Sequence, residues 1–104
     1  HFTRAALETL ELCFERILAD KFTVLELTRL QARVDGKYLP LALNEVFVAH
    51  REPHHMSVYM LSALGRCELQ KSSGIIIGTA IGSHAWLKSA GGTVMPLTDK
   101  RSQF

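Results

Sequence analysis

Residues 71–92 read KSSGIIIGTAIGSHAWLKSAGG, and their small residues divide the stretch into four pieces. Ser72, Ser73 and Gly74 form a turn signal. Ile75, Ile76 and Ile77, bounded by glycines, predict a strand buried on both faces, because β-branched side chains fit a pleated surface. A polar loop follows over residues 79–83. Ser83 is placed to cap a helix over residues 84–90, with Lys88 in its last turn and Gly91 where a left-handed residue would end it. A strand that passes through a tight loop into a helix start is expected to turn hydroxyls and backbone N–H groups into one concavity, suited to an anion or a nucleotide.

Working back from this stretch, residues 57–64 predict a strand, Gly65-Arg66 a turn, and residues 67–71 the returning strand. Pro53 separates them from a strand over residues 43–49. Residues 22–34 are rich in apolar and β-branched side chains, and Leu30, Ala32 and Val34 alternate with Arg29, Gln31 and Arg33. Asp35-Gly36 is a two-residue hairpin signal leading into residues 37–40. Nearer the start, Leu7, Leu10, Phe14, Ile17 and Leu18 recur at helical steps with Glu8, Glu11, Glu15 and Arg16 opposite, so a helix capped by Thr3 is expected to run to about Asp20. On the far side of residue 92, residues 93–97 begin an element that the polar residues 98–104 are not expected to complete. The fold class is therefore mainly β within α+β, an N-terminal helix followed by an antiparallel β meander.

Asn44 and Glu45 stand at the beginning of the 43–49 strand. Period-two alternation sends Leu43, Glu45, Phe47 and Ala49 to one face and Asn44, Val46, Val48 and His50 to the other, so both faces turn apolar just past the polar pair. A carboxylate at such a rim needs donors, because an unpaired buried charge costs several kcal/mol. Backbone N–H groups or the hydroxyls of a ligand would serve.

Composition excludes several classes. At 104 residues, 47% apolar and 21% charged, the chain is expected to be one domain able to bury roughly 65% of its unfolded surface. A formal charge of +2 without a Lys/Arg run argues against nucleic acid. Cys13 and Cys67 match no metal or redox spacing and read as free thiols in a reducing compartment. Gly74, Gly78 and Gly82 have a small-xxx-small spacing, but the apolar run is far shorter than the roughly 20 residues of a membrane-spanning helix. No signal peptide is visible, and a start at His1 without a Met reads equally as a lost leader or a fragment. His50, His54 and His55 read as an exposed loop rather than a metal site, since Pro53 forbids the helix that an i, i+4 pair would need. No nucleophilic triad has supporting context, so neither catalytic residues nor metal ligands are expected in this chain.

Two motifs carry a resemblance. NAD kinases have Asp-Gly, a short apolar strand, Thr-Pro-Thr-Gly-Ser-Thr-Ala-Tyr and a Ser-Ala-Gly-Gly close. This chain has Ser73-Gly74, Ile75 to Ile77, Thr79-Ala80-Ile81-Gly82-Ser83-His84-Ala85-Trp86 and Ser89-Ala90-Gly91-Gly92. The chain also has Ala42-Leu43-Asn44-Glu45-Val46, similar to the Ala-Leu-Asn-Glu-Val of the same family. The order and approximate spacing of the two motifs are the family's. Ser73, Ala80, Ile81, His84 and Trp86 depart from its pattern, and the Lys71-Ser72-Ser73-Gly74 opening and the Trp resemble its divergent mitochondrial branch.

The resemblance implies the β-rich C-terminal domain of an NAD kinase, truncated, with residues 1–20 leading from an N-terminal α/β domain and 21–104 forming part of the NAD-binding domain. Asn44 and Glu45 would hold the adenine and ribose of NAD, with Thr79, Gly82, Ser83, His84, Ala85 and Trp86 against the nucleotide. The parent would transfer the γ-phosphate of ATP, as its Mg²⁺ complex, to the adenosine 2′-hydroxyl. The Gly-Gly-Asp-Gly segment that carries the family's catalytic Asp does not occur in this sequence, so donor and base are expected elsewhere. A homo-oligomer, intracellular and cytoplasmic or in the mitochondrial matrix, is implied as well. The alternative is a catalytically inactive nucleotide-binding or regulatory module. A member of the related lipid-kinase superfamily is disfavoured by the Asn-Glu pair and the Ser-Ala-Gly-Gly close.

Overall fold

The computed structural model describes residues 7–104. A 3₁₀ turn over Leu7–Thr9 leads into helix α1 (Leu10–Leu18). Six strands follow: β1 (Leu30–Val34), β2 (Lys37–Ala42), β3 (Glu45–Val48), β4 (Ser57–Ala63), β5 (Arg66–Ser72) and β6 (Ile75–Gly78). A 3₁₀ turn over Gly82–His84 and the one-turn helix α2 (Trp86–Ser89) come last. Every strand pair is antiparallel, so the α+β class with a leading helix holds.

Helix α1 ends as its sequence predicts. Asp20 takes a left-handed φ of 56°, its N–H donates to the Ile17 carbonyl at 3.1 Å, and the Lys21 N–H reaches back to Arg16 at 2.8 Å, a Schellman end with Asp in place of the usual Gly. The expected cap at Thr3 lies outside the described residues. Regular pairing then begins only at Leu30, later than the apolar run from Phe22 suggests. Leu30 pairs with Ala42, the last residue of β2, so residues 22–29 have no strand opposite them.

Both tight hairpins turn through two left-handed residues, the geometry that matches strand twist. Asp35 and Gly36 make the first (φ 49° and 79°). The second is Leu64 and Gly65 (φ 52° and 74°), one residue earlier than Gly65-Arg66. The β4–β5 ladder pairs Ser57 with Ser72 through Ala63 with Arg66, which leaves only those two residues for the loop. Leu64 carries no turn preference, so residue type alone could not mark it.

The pairing that organises the site skips along the chain. β3 runs beside β6, with Glu45 opposite Gly78 and Val48 opposite Ile75, and the β4–β5 hairpin is an excursion between them. On its other edge, Gly78 exchanges two backbone hydrogen bonds with Gln103, at 2.9 and 3.0 Å. Among the described residues no helix or strand follows α2, but the polar end docks on β6 through this isolated bridge, and Gln103 also clasps Thr93, taking its N–H at Oε1 (2.9 Å) and donating from Nε2 to its carbonyl.

Burial is concentrated at this one place. Thr79, Ala80, Ser83 and Leu87 are buried, with Leu87 seated against Gly78. Elsewhere the expected two-sided burial fails: Ile75, Ile76 and Ile77 are half-buried, and Phe47 and Val48 are exposed, because a two-stranded ribbon covers neither of its own faces. The single compact core is not formed either. The chain exposes 8876 Å² where a folded monomer of its mass would expose about 5,800 Å², and its radius of gyration is 18.2 Å rather than about 13 Å. Phe14, Ile17 and Leu18 on α1, and Val58, Met60 and Leu69 on the β4–β5 hairpin, all face solvent.

Candidate functional site

The β3–β6 register brings Asn44 and Glu45 against the loop that follows β6. The Thr79 N–H donates to the Asn44 carbonyl at 2.9 Å, and the Thr79 hydroxyl reaches the carbonyls of Leu43 (2.7 Å) and Asn44 (3.2 Å). Gly82 then passes close behind. A methyl group on it would overlap the Asn44 carbonyl and come within 3.0 Å of Glu45 Oε2. The spacing of Gly74, Gly78 and Gly82 thus belongs to close approach, with Leu87 at Gly78 and the Asn44 backbone at Gly82.

The loop hydroxyls turn inward, contrary to the concavity expected for them. Besides its carbonyl contacts, Thr79 Oγ1 accepts the Gly82 N–H at 3.2 Å. Ser83 Oγ donates to the Ala80 carbonyl (2.6 Å) and accepts the Met95 N–H (2.8 Å), so Ser83 caps no helix. The expected helix over residues 84–90 breaks at Ala85, with the 3₁₀ turn before it and α2 behind it. Its far end is as predicted: Gly91 is left-handed (φ 94°), and the Gly91 and Gly92 N–H groups return to Lys88 and Leu87.

The backbone donors are engaged too. Ser83, His84 and Ala85 give their N–H groups to Thr79, Ile81 and Gly82 within the loop. Those three N–H groups are therefore not offered to an anion. His84 is exposed, and its Nε2–H donates to the Met95 carbonyl at 2.9 Å. Ala85 is half-buried. Trp86 is about half exposed and tilts against Phe47, with ring centroids 5.0 Å apart, on the α2 side of the ribbon.

What stays open is an acceptor. Glu45 Oε2 is shut away from solvent and has no hydrogen-bond partner, alone in this among the described residues. A buried polar atom without a partner costs roughly 1–3 kcal/mol, and a charged one more. The Asn44 side chain beside it is exposed. Of the pair at the strand start, Asn44 thus meets the loop through its backbone carbonyl and Glu45 through Oε2 behind Gly82. Among their supports Gly78 is marked by the glycine spacing and Leu43 by the motif, whereas Met95 and Gln103 gave no advance signal, since each acts across a fold-dependent contact.

Fold and site together define an α+β domain whose loop after β6 closes over a buried carboxylate oxygen without a hydrogen-bond partner. No family model matches the chain, and no solved structure matches it. Curated proteins do. A probable NADH kinase of Oryza sativa subsp. japonica is 35% identical over 89 residues, covering 76% of this chain and 26% of that protein. The NAD kinase of Methanoregula boonei is 37% identical over 89 residues, covering 85% and 32%. The NAD kinase of Bacteroides fragilis strain YCH46 is 32% identical over 93 residues, with the same coverage of 85% and 32%. The chain belongs to the NAD kinase family, and it spans about a quarter to a third of the length of these relatives.

Proposed function

We propose that this chain is the NAD-holding part of an NAD kinase, the parent of which phosphorylates the adenosine 2′-hydroxyl of NAD with ATP to give NADP. The observation that carries the proposal is the buried, partnerless Oε2 of Glu45. A carboxylate repels phosphate but accepts hydroxyl donors, so a ribose suits it where an anion does not. The exposed Asn44 amide adds a donor and an acceptor in one plane, which matches an adenine edge. Thr79, Gly82 and Ser83 serve by holding the loop rather than by offering hydroxyls, and His84, Ala85 and Trp86 border it.

Catalysis of this kind is positioning plus electrostatics, and this chain supplies the positioning. ATP and its Mg²⁺ enter as the second substrate, bound mainly by parts of the parent outside this chain. The large apolar area left open on α1 and the β4–β5 hairpin supports cover by those parts and by neighbouring subunits of a homo-oligomer. Among the described residues no helix is long and apolar enough to cross a membrane.

Glu45→Gln in the full-length protein is the test. Removal of a charged acceptor is expected to weaken NAD binding by about 10- to 100-fold in calorimetry, with no loss of thermal stability in the absence of NAD. Unchanged affinity would take Glu45 out of the site. Wild-type protein given NAD, ATP and Mg²⁺ is expected to produce NADP; binding without turnover would identify a non-catalytic module.

A further inference from the structure

The loop between β3 and β4 holds a second constellation, at the end of β3 remote from Asn44 and Glu45. Its backbone is tied at three points. The His50 N–H donates to Ser57 Oγ (2.8 Å), the Glu52 N–H to His50 Nδ1 (3.0 Å), and the His55 N–H to the Glu52 carbonyl (3.0 Å). Pro53 sits second in the resulting four-residue turn, where its fixed φ is favourable. The proline that rules out a helix here builds a turn that gathers the side chains instead.

In that turn one carboxylate oxygen faces two imidazole nitrogens. Glu52 Oε2 lies 3.4 Å from His54 Nε2 and 3.6 Å from His55 Nδ1, and each of the three residues offers one ligand atom within 4.8 Å of the others'. Both separations exceed the 2.7–3.2 Å of an ordinary hydrogen bond, so neither is a well-made direct contact. They are instead close to the roughly 3.3 Å edge of a tetrahedron whose ligands stand about 2.0–2.1 Å from a central ion. No other described group of three His, Cys, Asp or Glu side chains meets this spacing.

We propose that Glu52, His54 and His55 form a binding site for one divalent transition ion of the Zn²⁺ class. Two imidazoles and a carboxylate are borderline ligands that suit Zn²⁺, and three protein ligands leave a fourth position to water. His50 is a positioning residue: its Nδ1 is taken by the Glu52 N–H, and its ring leans on His55 with centroids 4.9 Å apart. The three ligands are more than half exposed, so the ion exchanges with solvent and the site needs no core rearrangement to fill. Nothing in this proposal depends on the nucleotide site.

The test uses full-length protein stripped of metal with a chelator, then titrated with Co²⁺ and, in competition, with Zn²⁺. Wild type is expected to bind one equivalent at this loop and give the visible absorption of tetrahedral Co²⁺. Glu52→Gln, His54→Gln and His55→Gln should each weaken Zn²⁺ binding by more than the roughly 10- to 100-fold that loss of a supporting group costs. His50→Gln should fall within that range and keep the Co²⁺ spectrum. Glu68→Gln, a carboxylate on the β4–β5 hairpin, should change nothing. Equal Zn²⁺ binding by wild type and the His54→Gln/His55→Gln double variant overturns the proposal, as does an equal loss in Glu68→Gln. X-ray absorption at the zinc edge of wild type provides a readout without variants: two imidazole shells and light-atom ligands at about 2.0–2.1 Å are expected, and a sulfur shell overturns it.

Discussion

The two ends of β3 put polar side chains to opposite uses. At its beginning, the loop after β6 folds over Asn44 and Glu45, buries Thr79 and Ser83 completely, and leaves one carboxylate oxygen without a partner. At its end, the loop over residues 50–56 buries nothing, yet its side chains stand side by side in solvent. One end is organised by exclusion of water and is therefore sensitive to shape. The other is organised by a backbone turn and should be sensitive only to ligand identity.

The sharpest way to break that contrast is Gly82→Ala. The added methyl would run into the Asn44 backbone, which has no flexible end to move aside. A destabilisation of about 3 kcal/mol, at the upper end for overpacking, is expected in thermal melts of the full-length protein, together with loss of NAD binding. A comparable change in the other loop, Arg51→Ala, is expected to leave the melting temperature unmoved. A Gly82→Ala protein as stable as wild type would mean that the loop is not held against β3.

Thr79→Val is next in size. It keeps the shape but strips the hydroxyl that joins the Leu43 and Asn44 carbonyls to the Gly82 N–H, and about 1–3 kcal/mol should be lost, with Thr79→Ser retaining most of it. Chemical denaturation of the three proteins measures this. Equal stability in Thr79→Val would show the hydroxyl to be replaceable by water.

The smallest effect lies in the tail that Gln103 fastens to β6. Hydrogen bonds from the Arg101 guanidinium and then its backbone N–H hold the Asp99 carboxyl at about 2, below its ordinary 3.8. A lowered folded-state value means that the pair contributes fully above about pH 3.8 and that its contribution fades as the pH falls toward 2. Asp99→Asn should flatten the acid limb of a circular-dichroism titration slightly over that window, without altering either end of β3. A wild-type limb identical to that of the variant would show the pair to be idle.

Much of this was legible from residue order, and the failures share a cause. Asp35-Gly36 announced its hairpin because both residues tolerate left-handed backbone, whereas Leu64 in the same conformation announced nothing. Asp20 and Gly91 closed their helices where local chemistry said they should. The Ile75 to Ile77 run predicts burial on both sides because three β-branched residues in a row normally have it. Here the described residues cover it only in part, since burial belongs to neighbours and not to a segment. The Ser83 cap failed for a related reason: its hydroxyl had a better acceptor in the Ala80 carbonyl, and a donor in the Met95 N–H that only folding delivers.

Residue order alone, then, was enough to locate the Asp35-Gly36 turn, the closing ends of both helices and a polar Asn44-Glu45 pair at a strand start, because those depend on backbone preference and spacing within a few residues. Tertiary structure decided which oxygens were left free. Hydroxyl direction and carboxylate satisfaction depend on the carbonyls and N–H groups that a distant strand brings within 3 Å, and the β3–β6 register supplied partners to Thr79 and none to Glu45 Oε2.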